Sequence, residues 1–194
     1  MSLLFWRRYS VTFDRINRNA INKEFAKDNI NGPVFPDRSI QWRYIYHDIL
    51  KDAPVDYLEF GVFWGDSIRE WCSLSTSPDS RFYGFDTFTG LPEHWFKGLG
   101  KDAFSTGGEI PEIQDRRVSF IKGFFQDTLP DFLKNYHRMN TVVLHMDADL
   151  YSSTLFVLIS MHQYLRKGDV LMFDDFWTRW ENSKLLTTTA MLSG

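Results

Sequence analysis

Five acidic residues stand where apolar segments of this chain give way to turns. They are Glu59, Asp86, Asp147, Asp174 and Asp175. A carboxylate at the end of a buried strand is costly unless a cation or a hydrogen-bond donor meets it. Parallel sheets bind ligands beyond the carboxyl ends of their strands, so strand-end carboxylates of one sheet share a rim. Any one of these aspartates could be a turn former or a helix cap, but five together predict a binding site.

The turn that follows Glu59 predicts a cofactor site. Residues 55–67 have the pattern of a buried strand, a tight turn and a helix start, and helix starts attract anionic groups. Gly61 and Gly65 permit close approaches that a Cβ hinders, although a glycine pair is also typical of an ordinary strand-to-helix turn. Glu59 favours a cofactor with a cationic amino-acid portion. The glycines do not form the G-x-G-x-x-G pattern, which weakens the alternative of a dinucleotide oxidoreductase.

The other carboxylates divide into two groups with different chemistry. Asp86, at the end of the second predicted strand, can accept hydrogen bonds from both hydroxyls of a ribose. Asp147, Asp174 and Asp175 converge if the fourth and fifth strands are neighbours, about 5 Å apart. Three oxygen ligands with room for water favour magnesium over zinc. Without an ion, repulsion among these carboxylates is expected to raise at least one pKa.

Strands and helices that could position these residues alternate along the chain. Helices are expected at 10–28, 38–51, 66–74 and 153–165, with another around Leu129, and strands before Gly61 and at 81–86, 118–121, 141–146 and 169–173. Because the strands are apolar on both faces, they predict an α/β, Rossmann-like, doubly wound and mostly parallel sheet. We expect residues 1–54 to be a helical segment that covers the cofactor pocket, and residues 55–194 to be the cofactor-binding domain.

Composition narrows the class of protein. With 194 residues and 43% hydrophobic content, the chain is long enough for one substantial core. The net charge of −3, with scattered basic residues, argues against a nucleic-acid partner. Cys72 is the sole cysteine, which suits a reducing compartment, and no apolar run has the length of a signal peptide or membrane span. We therefore expect a cytoplasmic protein without a membrane partner.

Five motifs, taken in order, resemble those of the macrolide-sugar (macrocin) O-methyltransferase family. They are LEFGVFWGDS (58–67), YGFDTFTGLPE (83–93), KGFFQDTLP (122–130), MDADLYSST (146–154) and DDF (174–176). Members are class I methyltransferases that depend on S-adenosylmethionine. The resemblance implies a magnesium-dependent transfer of a methyl group to a hydroxyl of a sugar or another small polyhydroxylated acceptor.

The resemblance also implies roles for individual residues. Cofactor contacts would come from Gly61 and Phe63 at the methionine part, Ser67 at its carboxylate, Asp86 at the ribose, and Phe125 and Gln126 at the adenine, with Glu59 supporting the glycine loop. Magnesium would be held by Asp147, Asp174 and Asp175. Asp147 and Asp149 would be the catalytic residues, with Asp149 or His145 as candidates for the base. A helix cap is an equally good reading of Asp149, and a structural histidine is the better reading of His145.

The end of the chain differs from the family pattern. The resemblance implies an antiparallel hairpin after the fifth strand, but few residues follow Asp175. We therefore expect the hairpin to be missing and the strand Val170 to Phe173 to be an exposed apolar edge, which predicts self-association into a homo-oligomer. The alternative function is a catalytically inactive cofactor- or partner-binding domain of the same fold.

Overall fold

The computed structural model describes residues 33, 35–92, 100, 102–177 and 186–191, with only the backbone described for 175–177 and 186–191. The chain divides into two compact units, Met1–Val34 and Phe35–Gly194. The helix expected at 10–28 lies outside the described residues. The role of residues 1–54 as a cover for the cofactor pocket stays a prediction.

The second unit alternates strands and helices as the sequence predicts. Its strands are β1 (Val55–Phe60), β2 (Arg81–Asp86), β3 (Val118–Lys122), β4 (Thr141–Met146), β5 (Val170–Trp177) and β6 (Leu186–Met191). Its helices are α1 (Arg38–Tyr44, continued by a π-helical turn at Ile45–Ile49), α2 (Asp66–Leu74), α3 (Phe125–Asn135) and α4 (Tyr151–Met161, continued by a 3₁₀ turn at His162–Tyr164). None of the helices in the described part of the chain is both long and apolar enough to cross a lipid bilayer.

The six strands form one sheet in the order β3-β2-β1-β4-β5-β6. Strands β1 to β5 pair in parallel, and β6 pairs antiparallel with β5. All six residues of β1 are buried, as expected of a central strand covered on both faces. Neighbouring residues such as Tyr57 and Leu58 belong to different core clusters, because side chains alternate across a strand. The predicted fold class is confirmed.

The C-terminal part of the sheet corrects two expectations. Strand β5 does not end at Phe173 but continues to Trp177, so Asp174 and Asp175 lie within it. It is also not an edge, because β6 pairs with it from Val170↔Met191 to Trp177↔Leu186. The prediction of an exposed apolar β5 edge is therefore wrong, and the homo-oligomer stays a prediction without that argument. The β5–β6 register shifts between Phe173 and Trp177, and such irregularities often re-aim side chains near binding sites.

Candidate functional site

A cavity of about 360 Å³ opens at the rim formed by the carboxyl ends of the parallel strands. This volume lies within the range of about 300–1,000 Å³ that is usual for small-molecule sites. Eight of the predicted site residues line the cavity: Gly61, Phe63, Asp86, Phe125, Gln126, Asp147, Asp149 and Asp174. The parallel order of β3, β2, β1, β4 and β5 thus brings together residues from all five motifs.

The glycine turn after β1 lies directly against the end of β4. Gly61 has φ +95°, and a Cβ added to it would lie 1.8 Å from the carbonyl oxygen of Asp147. Its amide donates a hydrogen bond to the Phe85 carbonyl oxygen at 3.0 Å, which joins the turn to β2 as well. Phe63 follows with φ +52° and a side chain that is 39% exposed. Only a residue without a Cβ fits at position 61, so the turn presents bare backbone to the cavity.

Asp86 holds the shape of this turn. One of its carboxylate oxygens accepts hydrogen bonds from the amides of Val62 and Phe63 at 2.8 and 2.9 Å. The other oxygen accepts from the Phe88 amide at 2.8 Å. The carboxylate therefore fastens the turn to the end of β2 and also lines the cavity. Its contact with a ribose stays a prediction.

A buried polar network lies behind the turn. Glu59 is fully buried, and its two carboxylate oxygens accept hydrogen bonds from Tyr57 Oη, at 2.6 Å, and from Ser67 Oγ. Tyr57 Oη is also 2.8 Å from Nδ1 of His145. The supporting role implied for Glu59 stays a prediction. The Ser67 hydroxyl is directed to Glu59 in this structure, and its contact with a cofactor carboxylate stays a prediction.

Asp147 and Asp174 form the acidic centre of the cavity together with His145. One ligand atom from each of the three residues lies within 4.8 Å of the others. Burial and the charge of Asp174 raise the pKa of Asp147 to about 7, as expected for close carboxylates. Burial disfavours the charged form of His145, but the negative charges of Glu59, Asp147 and Asp174 together outweigh this and raise the histidine pKa. The side chain of Asp175, the third predicted ligand, lies outside the described residues.

His145 was a candidate base in the sequence, and the structure places it among candidate metal ligands. Its Nε2 atom is buried and has no hydrogen-bond partner among the described residues. Residues two apart on a strand point to the same side, so the spacing of His145 and Asp147 at the end of β4 is the signal that could have found it. Imidazole nitrogen and carboxylate oxygen are both ordinary ligands of divalent metals.

Asp149 lies in the wall of the cavity with φ +56°. Helix α4 begins at Tyr151, and its N-cap position is Leu150, whose side chain makes no capping hydrogen bond. The reading of Asp149 as a helix cap stays a prediction. Its role as a base stays a prediction.

Several cavity residues were not among the predicted site residues. Arg38 comes from α1, and its guanidinium contacts Asp174. The loop after β2 supplies Thr87, Leu91, Pro92 and Phe104, whose ring meets Phe63 edge-on at 6.0 Å. Trp95 and Phe96, which follow Pro92 in the sequence, lie outside the described residues. The length of this segment and its Gly, Pro and aromatic residues are the sequence signal that could have found this wall, whereas no local pattern indicates Arg38.

The sheet order and the rim cavity define a class I methyltransferase fold. The crystal structure of CalS11, a calicheamicin methyltransferase, matches with a TM-score of 0.58 and 22% identity over 71% of this chain and 63% of that one. The structure of the O-methyltransferase NovP matches with a TM-score of 0.55 and 25% identity over 71% and 64%. The family model of the macrocin O-methyltransferases (TylF) matches residues 38–188, and the chain belongs to this family.

Two curated relatives are O-methyltransferases by name. The 8-demethyl-8-(2,3-dimethoxy-alpha-L-rhamnosyl)-tetracenomycin-C 4'-O-methyltransferase of Streptomyces olivaceus is 28% identical over 160 residues. Demethyldecarbamoylnovobiocin O-methyltransferase of Streptomyces niveus is 26% identical over 155 residues. Each match covers 69% of this chain but 58% of the relative, so the chain spans little more than half of their length.

Proposed function

We propose that this protein transfers a methyl group from S-adenosylmethionine to a hydroxyl of a sugar or another small polyhydroxylated acceptor. The observation that carries the proposal is that the Gly61 turn and the Asp147–Asp174 pair lie side by side and line the same cavity. The Gly61 turn provides backbone without a side chain, which a cofactor can approach closely. The Asp147–Asp174 pair provides the negative charge of the acidic centre, where the acceptor hydroxyl would lie. Family membership and the names of the two Streptomyces relatives support the same reaction.

The cofactor would lie along the ends of β1, β2 and β3. When bound, S-adenosylmethionine supplies an electrophilic methyl group on a positively charged sulfur. Gly61 and Phe63 would contact its methionine part, and Asp86 its ribose hydroxyls. Phe125 and Gln126, at the start of α3, would contact the adenine, and the Phe125 ring is held edge-on by Phe60 at 5.3 Å. These residues orient the methyl group towards the acidic centre.

The acidic centre would position and activate the acceptor. The pair Asp147 and Asp174, with a ring nitrogen of His145 within 4.8 Å, fits a divalent ion, and the carboxylates suit magnesium. The Nε2 atom of His145 is also buried and has no hydrogen-bond partner in the described part of the chain. When bound, such an ion supplies positive charge that lowers the pKa of an acceptor hydroxyl. Asp175 would complete the ligand set, and Asp149, in the same wall, would receive the hydroxyl proton. We also propose cytoplasmic localisation, in keeping with the single buried thiol of Cys72.

Replacing Asp86 with alanine should weaken the binding of S-adenosylmethionine by on the order of 2–4 kcal/mol, because two hydrogen bonds to a charged group are lost. Isothermal titration calorimetry with the whole chain measures this change. Asp79→Ala is the matched control, since Asp79 is exposed in the turn before β2. An unchanged affinity in a folded Asp86→Ala protein would remove Asp86 from the cofactor site. Binding without turnover of any hydroxyl acceptor would favour the inactive-domain alternative.

Magnesium should raise the melting temperature of the protein, since an ion that binds only the folded state stabilises it. Asp174→Asn should abolish the rise because the amide cannot replace the carboxylate charge. Asp131→Asn, on the exposed face of α3, should leave the rise intact. A wild-type melting curve that responds to neither magnesium nor manganese would contradict the metal assignment.

A further inference from the structure

The guanidinium of Arg38, on helix α1, lies against the acidic centre. Its Nη2 atom donates a hydrogen bond to Asp174 Oδ2 at 2.5 Å, and its Nη1 atom lies 3.7 Å from Asp147 Oδ2. The guanidinium thus contacts both carboxylates that the proposed function assigns to a divalent ion. Two cations cannot share the same carboxylate oxygens without strong repulsion.

The two partners of this ion pair differ in burial. The Asp174 side chain is only 4% exposed, so its charge is costly without a cation beside it. The Arg38 side chain is 39% exposed, so its guanidinium can turn into water without becoming a buried charge. Displacement of Arg38 is therefore tolerable if another cation takes its place at Asp174.

Helix α1 is held by buried contacts, whereas the Arg38 side chain is partly exposed. Trp42 is buried on the inner face of α1, and the following turn buries Ile45. Ser39 Oγ donates a hydrogen bond to Glu70 of α2 at 2.8 Å. Replacement of the Arg38 guanidinium by another cation at the acidic centre therefore requires only a rotation of the Arg38 side chain.

We propose that Arg38 is an internal counter-cation of Asp147 and Asp174 that a divalent ion must displace. The inference rests on the metal role in the proposed function and deepens it. Arg38 keeps the carboxylate pair compensated in the metal-free protein and weakens metal binding by competition. A matched control lies on the same helix: Arg43 is 60% exposed, and its Nη2 atom lies 4.0 Å from Glu70 Oε1.

Metal titrations of four versions of the whole chain test this competition. Binding of MnCl₂ and of MgCl₂ is measured by calorimetry for the wild type, Arg38→Gln, Arg38→Lys and Arg43→Gln at one ionic strength and without S-adenosylmethionine. Arg38→Gln should bind both ions about tenfold more tightly or better, because the competing charged hydrogen bond is gone. Arg38→Lys should fall between it and the wild type, since one ammonium group cannot span both carboxylates as a guanidinium does. Arg43→Gln should match the wild type.

Melting temperatures provide a second readout. Without metal, Arg38→Gln should melt below the wild type, and saturating MnCl₂ should narrow the gap, because the ion then compensates both carboxylates. If Arg38→Gln does not fold, Arg38→Lys carries the test, and an affinity equal to that of the wild type would overturn the proposal.

The possible failures are distinct. Equal or weaker metal binding in Arg38→Gln, with clear binding in the wild type, would overturn the competition but leave the metal role standing. Absence of metal binding in every version would overturn both the competition and the metal role. The cofactor titration of Asp86→Ala would be unaffected by either result.

Discussion

Gly61→Ala should abolish binding of S-adenosylmethionine and lower the free energy of unfolding by about 3 kcal/mol or more. The new Cβ would lie 1.8 Å from the carbonyl oxygen of Asp147, and backbone atoms at the end of a central strand cannot move away easily. The positive φ of +95° adds strain for any residue with a side chain. Strained φ values and overpacked sites each cost about 1–3 kcal/mol. Urea unfolding and calorimetry measure the two effects.

Gly168→Ala separates the two causes of this loss. Gly168 has φ +94°, almost the value at Gly61, but no atom lies within 4 Å of an added Cβ. It should therefore lose only about 1–2 kcal/mol of stability from backbone strain and keep its cofactor affinity. Equal losses in the two variants would mean that the close approach of Gly61 to Asp147 does not matter.

Asp56→Ala should lower the free energy of unfolding by about 3–5 kcal/mol, the usual result of removing one partner of a buried ion pair. Asp56 is fully buried in β1, where Arg81 donates to both of its oxygens, at 2.9 and 2.5 Å. Tyr136 Oη, the Met139 amide and Asn140 Nδ2 donate as well, at 3.0, 3.0 and 2.9 Å. The variant would leave Arg81 and these donors without their acceptor. Denaturant unfolding at pH 7 measures the loss.

The exposed pair between Asp131 and Lys134 provides the control for Asp56. Both side chains are more than 70% exposed, so Asp131→Ala should change stability by less than about 0.5 kcal/mol. A loss at Asp56 no larger than this would show that the buried network contributes nothing beyond a surface pair.

Acid should reduce the advantage of the wild type over Asp56→Ala. Burial alone would raise the pKa of Asp56, but hydrogen bonds from Arg81 and Met139 and the charge of Arg81 outweigh it and lower the pKa below the ordinary 3.8. A lowered pKa in the folded state stabilises the protein above the ordinary value, and this stabilisation is lost as the pH falls towards the folded-state pKa. The stability difference between wild type and variant should therefore shrink below about pH 4. A difference that stays constant from pH 7 to pH 3 would contradict this linkage.

Local patterns in the sequence determined most of the architecture. Strands β2 and β4 and helix α2 have the predicted bounds, because apolar runs and turn residues specify such elements over short distances. The rim of carboxylates also followed from the sequence, since parallel strands always bring their carboxyl ends to the same edge. Asp86, Asp147 and Asp174 consequently line one cavity although they belong to three separate motifs of the chain.

Tertiary structure alone decided what these carboxylates contact. Arg38 and Asp174 are 136 residues apart, and no local pattern records that α1 brings its first residue to Asp174 of β5. The same holds for the three backbone amides on Asp86, since they depend on the fold of the turn. Strand β5 is longer than predicted because its partner β6 extends it, and strand pairing is a property of two distant segments. The sequence therefore determined which residues reach the rim, whereas three-dimensional packing determined which charges and donors meet them there.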